Sequence, residues 1–147
     1  MQKFHFPLET ALQFRQMQVD LNKAHLERLY AELTGLFNQQ QQCHIELEDA
    51  NQVVKAGAST FALNLLALDN FSRHIDSRRH SLEKERSGCI GRIAEQQTRL
   101  RRLQADAKLL VKLKERKLAE WKAEEGREQE ALAGELYLAA WPRRAIS

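Results

Sequence analysis

Pro7 and Pro142 are the only prolines, and between them apolar residues recur at the alternating four- and three-residue spacing of a heptad. Proline inside a helix removes a backbone hydrogen bond and clashes with the preceding turn, so a long proline-free stretch with this period favours helix throughout. From Leu8 one series reads Leu12, Val19, Leu26, Leu33, Gln40, Leu47, Val54, and the other Leu8, Arg15, Asn22, Leu29, Leu36, Cys43, Ala50. Arg15, Asn22 and Gln40 interrupt an otherwise apolar seam. Pro7 suits the first turn of this helix, and Glu9 adds negative charge near the positive end of its dipole. A helix is predicted from about 8 to 55.

A break is expected at Lys55-Ala-Gly-Ala-Ser-Thr-Phe61, where Gly57 offers a left-handed C-cap and Ser59 or Thr60 an N-cap. The turn is placed at about 56–61. Heptads resume with Leu68, Ile75, Leu82, Cys89, Gln96, Leu103, Leu110, interleaved with Leu65, Ser72, Arg79, Arg86, Ile93, Leu100, Ala107. Gly88 and Gly91 inside this second seam predict a soft spot. Pro142 is expected to end the helix near Trp141, giving a second helix of about 62–141. The whole is expected to be a single all-α unit, an elongated antiparallel two-helix coiled-coil hairpin with a longer C-terminal helix. A turn at that position puts Cys43 opposite about residue 75, Cys89 opposite about residue 29, and Leu8 opposite about residue 109. Residues from about 110 to 141, roughly 45 Å of helix, are then left without a partner in their own chain. They carry Leu110, Leu113, Leu118, Trp121, Leu132, Leu136, Tyr137 and Leu138.

Composition narrows the function classes. Charged residues make up 29% of the chain and aromatics 7%, and no apolar run approaches the length that spans a bilayer. The N-terminal residues lack a secretory apolar region, and two cysteines point to a reducing compartment. From Arg99 to Arg127 ten basic residues stand against five acidic ones, while the first 56 residues have five basic and seven acidic. The basic stretch is expected to meet an acidic surface. Ser87-Gly88-Cys89-Ile90-Gly91 lacks the lysine of a phosphate-binding loop and lies on the seam, so nucleotide binding is not expected. Cys43 behaves as a small seam hydrophobe, and His44, His74 and His80 are not spaced to share an ion on one helix face. Arg73 to His80 reads as a solvated face. Phe37, Phe61 and Phe71 lie near the loop end, either closing the hairpin or offering a contact.

Phe4-x-Phe6-x-Leu8-x-x-x-Leu12-x-x-Arg15 resembles the opening of the FliJ family, the small coiled-coil proteins of the flagellar type III export apparatus. The stretch Leu110-Val-Lys-Leu113-Lys-Glu-Arg116-Lys…Trp121…Arg127-Glu-Gln-Glu-Ala-Leu132 is similar to the late segment of that family, and chain length and helix order agree with it. One departure is Ala133-Gly134, where the family often carries an acidic dipeptide. The resemblance implies a non-enzymatic stalk with no cofactor or metal. Its helix termini would enter the pore of a hexameric export ATPase and stimulate it. Its loop end would face an export-gate membrane protein, and it would hold export chaperones. Carried onto this chain, the ATPase end uses Leu12, Arg15, Leu110, Leu113, Arg116, Lys117 and Trp121. The gate end uses Phe37, Gln40, Leu47, Phe61, Phe71 and Ile75. The implied place is cytoplasmic, peripheral to the inner membrane at the flagellar base, with a monomer when free and no nucleic-acid partner. Two readings from the residues stay open beside it: a nucleic-acid-binding hairpin using Arg99–Arg127, and a homodimeric coiled-coil scaffold.

Overall fold

The computed structural model describes residues 2–57 and 61–146, and the side chains of residues 61, 62 and 143–146 lie outside that description. Two helices account for nearly all of it: α1, Glu9–Ala56, and α2, Phe61–Ile146. They pack against each other as an all-α helical hairpin. Among the described residues no strand occurs, and no helix is long and apolar enough to cross a membrane. The chain divides into two compact units, residues 20–101, and residues 1–19 together with 102–147.

In the first of these units the heptad seam is the core. Leu26, Leu29, Leu36 and Cys43 of α1 pack with Ile75, Leu82, Cys89 and Ile93 of α2, flanked by Leu33, Leu47, Phe71 and Leu100. The order of these residues makes the helices antiparallel. Cys89 Sγ lies 3.4 Å from the Leu29 carbonyl oxygen, which is the partner the turn position predicts, and Cys43 shares the core with Ile75. Both thiols are free and buried. Two polar seam positions pair with each other, Gln96 donating to Asn22, and Gln40 donates to Glu83 beside the seam at 3.0 Å. Satisfied polar rungs of this kind disfavour slipped registers, because a slip sets an amide against leucine.

Gly57 does not take the expected left-handed conformation, since no glycine with positive φ occurs among the described residues. The proposed capping residues Ser59 and Thr60 lie outside the described residues. α2 runs without interruption through Gly88 and Gly91. It also continues past Pro142 instead of ending near Trp141. The proline forfeits one bond, to the Leu138 carbonyl, and Leu138 is exposed enough for water to take that place.

In the second unit, α1 starts from a turn in which Glu9 N–H donates to the Phe6 carbonyl at 3.1 Å and Leu12 N–H to that of Leu8 at 2.9 Å. Leu12 and Val19 are buried, as is Phe6 ahead of the helix. Beyond Pro7 towards the N-terminus the chain is not helical. It runs back along α2, where the expectation of an unpartnered helix from about 110 needs correction. Glu9 Oε2 lies 2.7 Å from Lys114 Nζ, although without a well-angled hydrogen bond. Trp121 Nε1 donates to the Gln2 carbonyl at 3.1 Å. The reason is geometric. Extended chain advances about 3.3 Å per residue against 1.5 Å in a helix, so a few residues ahead of Pro7 cover α2 as far as Trp121. The exposed part of α2 therefore starts beyond Gly126. From Arg127 to Ala139 every described side chain is exposed.

Candidate functional site

Among the described residues no group of three His, Cys, Asp or Glu is placed to hold a metal. What the fold offers is contact surface, and it lies in two places, one in each unit.

The terminal surface belongs to the unit of residues 1–19 and 102–147. All seven residues assigned to an ATPase-facing end lie in it. Leu12 is 4% exposed and serves the hairpin's own core. Leu110, Leu113 and Trp121 are half-buried, and Arg116 and Lys117 are exposed. Arg15 is half-buried and donates to Gln18 Oε1 at 2.9 Å. Leu113, Lys117, Glu120, Trp121 and Glu124 form one stripe of α2, and with Phe4 to Leu8 they line a cavity of about 490 Å³. The Phe4 and Trp121 rings stand 6.0 Å apart, tilted by 58°. Lys117 Nζ lies 3.5 Å from Glu120 Oε2.

Further along, Leu132, Leu136, Tyr137, Leu138 and Trp141 are between 58% and 67% exposed. Successive helical positions are 100° apart, so these five side chains spread over about 240° of the circumference, and Glu135 sits in the sector they leave open. Glu135 is the one charged residue among positions 131–141. So broad an apolar surface is wider than the stripe that a helix buries against a single neighbour.

The loop-side surface belongs to the unit of residues 20–101. Of the residues assigned to a gate-facing end, Ile75 is 1% exposed and lies in the core, and Leu47 and Phe71 pack against that core. Phe61 opens α2, and its side chain lies outside the described residues. Phe37 is 49% exposed and Gln40 half-buried. These two line a groove of about 650 Å³ with His44, Asp76, Arg79, His80, Glu83 and Arg86. The sequence explains the groove: Arg79 and Arg86 occupy seam positions where leucine would have closed the interface. His44 lies 3.5 Å from Glu48. Nearby, Arg92 is paired with Glu32 at 3.0 Å, whose hydrogen bond and then charge raise its guanidinium above the ordinary value.

Sequence reasoning passed over Gln2, Glu120 and Glu124 at the terminal cavity, and Val53, Leu63 and Leu66, which are exposed near the turn. The signal for the first set was present: two phenylalanines just ahead of Pro7 cannot join the heptad, and Trp121, two repeats on from Ala107, continues the seam beyond the reach of α1. Against family models, curated proteins and solved structures, the chain matches none.

Proposed function

We propose that this chain is a non-enzymatic stalk or coupling protein of a type III export apparatus, of the flagellar kind. It inserts its terminal helices into a hexameric export ATPase, stimulates that enzyme, and links it to the export gate and to export chaperones at the cytoplasmic face of the inner membrane. The observation that carries the reading is the end of α2, exposed from Arg127 to Ala139, with large apolar side chains over about 240° of its circumference between positions 131 and 141. Such a helix is marginal in water and gains stability only when enclosed, which a ring-shaped socket does more completely than a flat surface. The basic excess of Arg99–Arg127 supports an acidic socket wall. The likeness of Phe4–Arg15 and Leu110–Leu132 to the FliJ family supplies the export setting.

The test is reconstitution with the cognate export ATPase. The full chain is expected to raise turnover and promote ring assembly, and a chain lacking residues 125–147 is expected to do neither. Unchanged turnover and unchanged oligomerisation with the full chain would sink the proposal. The same exposed side chains suit pairing with a second copy, so sedimentation of the free chain decides between the two: the stalk reading requires a monomer at micromolar concentration.

A further inference from the structure

We infer that the cavity between the N-terminal segment and α2 is a recognition site for an arginine side chain of another protein. The inference stands on the cavity alone and does not depend on the export reading. Trp121 has already donated its only N–H, to the Gln2 carbonyl at 3.1 Å. What the indole still offers is therefore its π face. Phe4 offers nothing else. Both rings are half-buried, so each keeps open surface, and at 58° and 6.0 Å neither covers the other. Lys117 and Glu120, 3.5 Å apart, offset each other's charge. Glu124, three residues from Trp121 on the same stripe, has no ion-pair partner among the described residues and leaves the cavity with a negative excess.

Aromatic faces beside an unpaired carboxylate select a cation carried on an apolar stem. A planar guanidinium stacks on the rings and still presents N–H groups to Glu124, which a lysine ammonium does less well. A neutral apolar side chain would fill the space and leave the carboxylate idle.

The experiment uses the full-length chain with Trp141→Phe, an exposed position, so that Trp121 is its only indole. Its emission is followed on titration with N-acetyl-arginine amide and with the uncharged isostere N-acetyl-citrulline amide. A saturable change with the arginine probe is expected, at least about fivefold stronger than with citrulline. Glu124→Gln is expected to weaken arginine binding about three- to tenfold and bring it close to citrulline. Phe4→Leu, which keeps the bulk and removes the ring, should also weaken it. Free arginine should bind no better than the blocked amide, because a protein side chain is the ligand proposed. No saturable change, equal affinity for the two amides, an unaffected Glu124→Gln variant, or tighter binding of free arginine each overturns the inference.

Discussion

Ile75 and Val53 are aliphatic residues of the same unit with opposite consequences. Ile75 is 1% exposed and touches the facing seam, so Ile75→Ala empties space that neighbouring leucines cannot fill. A loss of about 2–5 kcal/mol is expected in denaturant titration. Val53 is among the exposed apolar residues, and Val53→Ala is expected to stay within about 0.5 kcal/mol. This contrast bears on the loop-side surface: a binding defect in Ile75→Ala would report a damaged core, whereas one in Phe37→Ala would report a lost contact. Arg92 adds a statement about pH. Its guanidinium is raised by Glu32, so the stabilisation it draws from that pair is complete below the ordinary guanidinium range and is lost only as pH rises through the raised value. The Arg92 side of the pair is therefore expected to contribute the same amount in neutral and mildly alkaline buffer. Comparing Arg92→Gln with the wild type by thermal melts in both buffers checks this.

At the scale of the helix, α2 contains glycines that its packing does not require. A Cβ built at Gly88 or Gly91 meets nothing within 4 Å. Each replacement by alanine is expected to stabilise the protein by roughly 0.5–1 kcal/mol through helix propensity. Differential scanning calorimetry should show the double variant melting several degrees higher, and a lower midpoint would mean that α2 bends at these positions for a reason not visible in its contacts. The helices themselves were legible in the heptad because period and burial have one cause. Of the seam positions, only Leu8, Leu65 and Arg79 end up exposed. The Cys89–Leu29 register was legible too, since an antiparallel pair joined by a short turn leaves one free parameter, and the Gly57 region fixes it. The N-terminal segment was not, because the alternation Phe4, Phe6, Leu8 is too short to specify a partner, and Trp121 is distant in sequence. Pro142 misled for a different reason: a proline stops a helix where its lost bond is buried, and here the bond lost is to Leu138, an exposed residue. Deleting residues 1–6 tests the importance of that segment. In the Trp141→Phe background it is expected to shift Trp121 emission to the red, as the indole loses both Phe4 and the Gln2 carbonyl.

Taken over the whole chain, stability and contact reside in different residues, and this separation can be measured. The buried side chains come from positions 6–93, whereas the end of α2 contributes exposed apolar groups and no core. Truncation after Glu124 is therefore expected to reduce the far-ultraviolet helical signal while leaving the thermal midpoint within about 1 °C, because none of the described buried side chains is removed. The basic stretch allows a sharper experiment. Lys112 and Arg116 are exposed, and neither holds an ion pair among the described residues. Reversing both, Lys112→Glu with Arg116→Glu, is expected to cost less than about 1 kcal/mol of folding stability, since surface charges are screened by solvent. If these residues meet an acidic wall of an ATPase ring, the same double variant should lower the apparent affinity for that ring by at least about tenfold at low salt, with the deficit shrinking as ionic strength rises. Stimulation that is lost together with the thermal midpoint would assign the two residues to folding. Stimulation that persists undiminished at low salt would remove the acidic socket from the proposal and leave it resting on the apolar end of α2 and the likeness of the two terminal stretches.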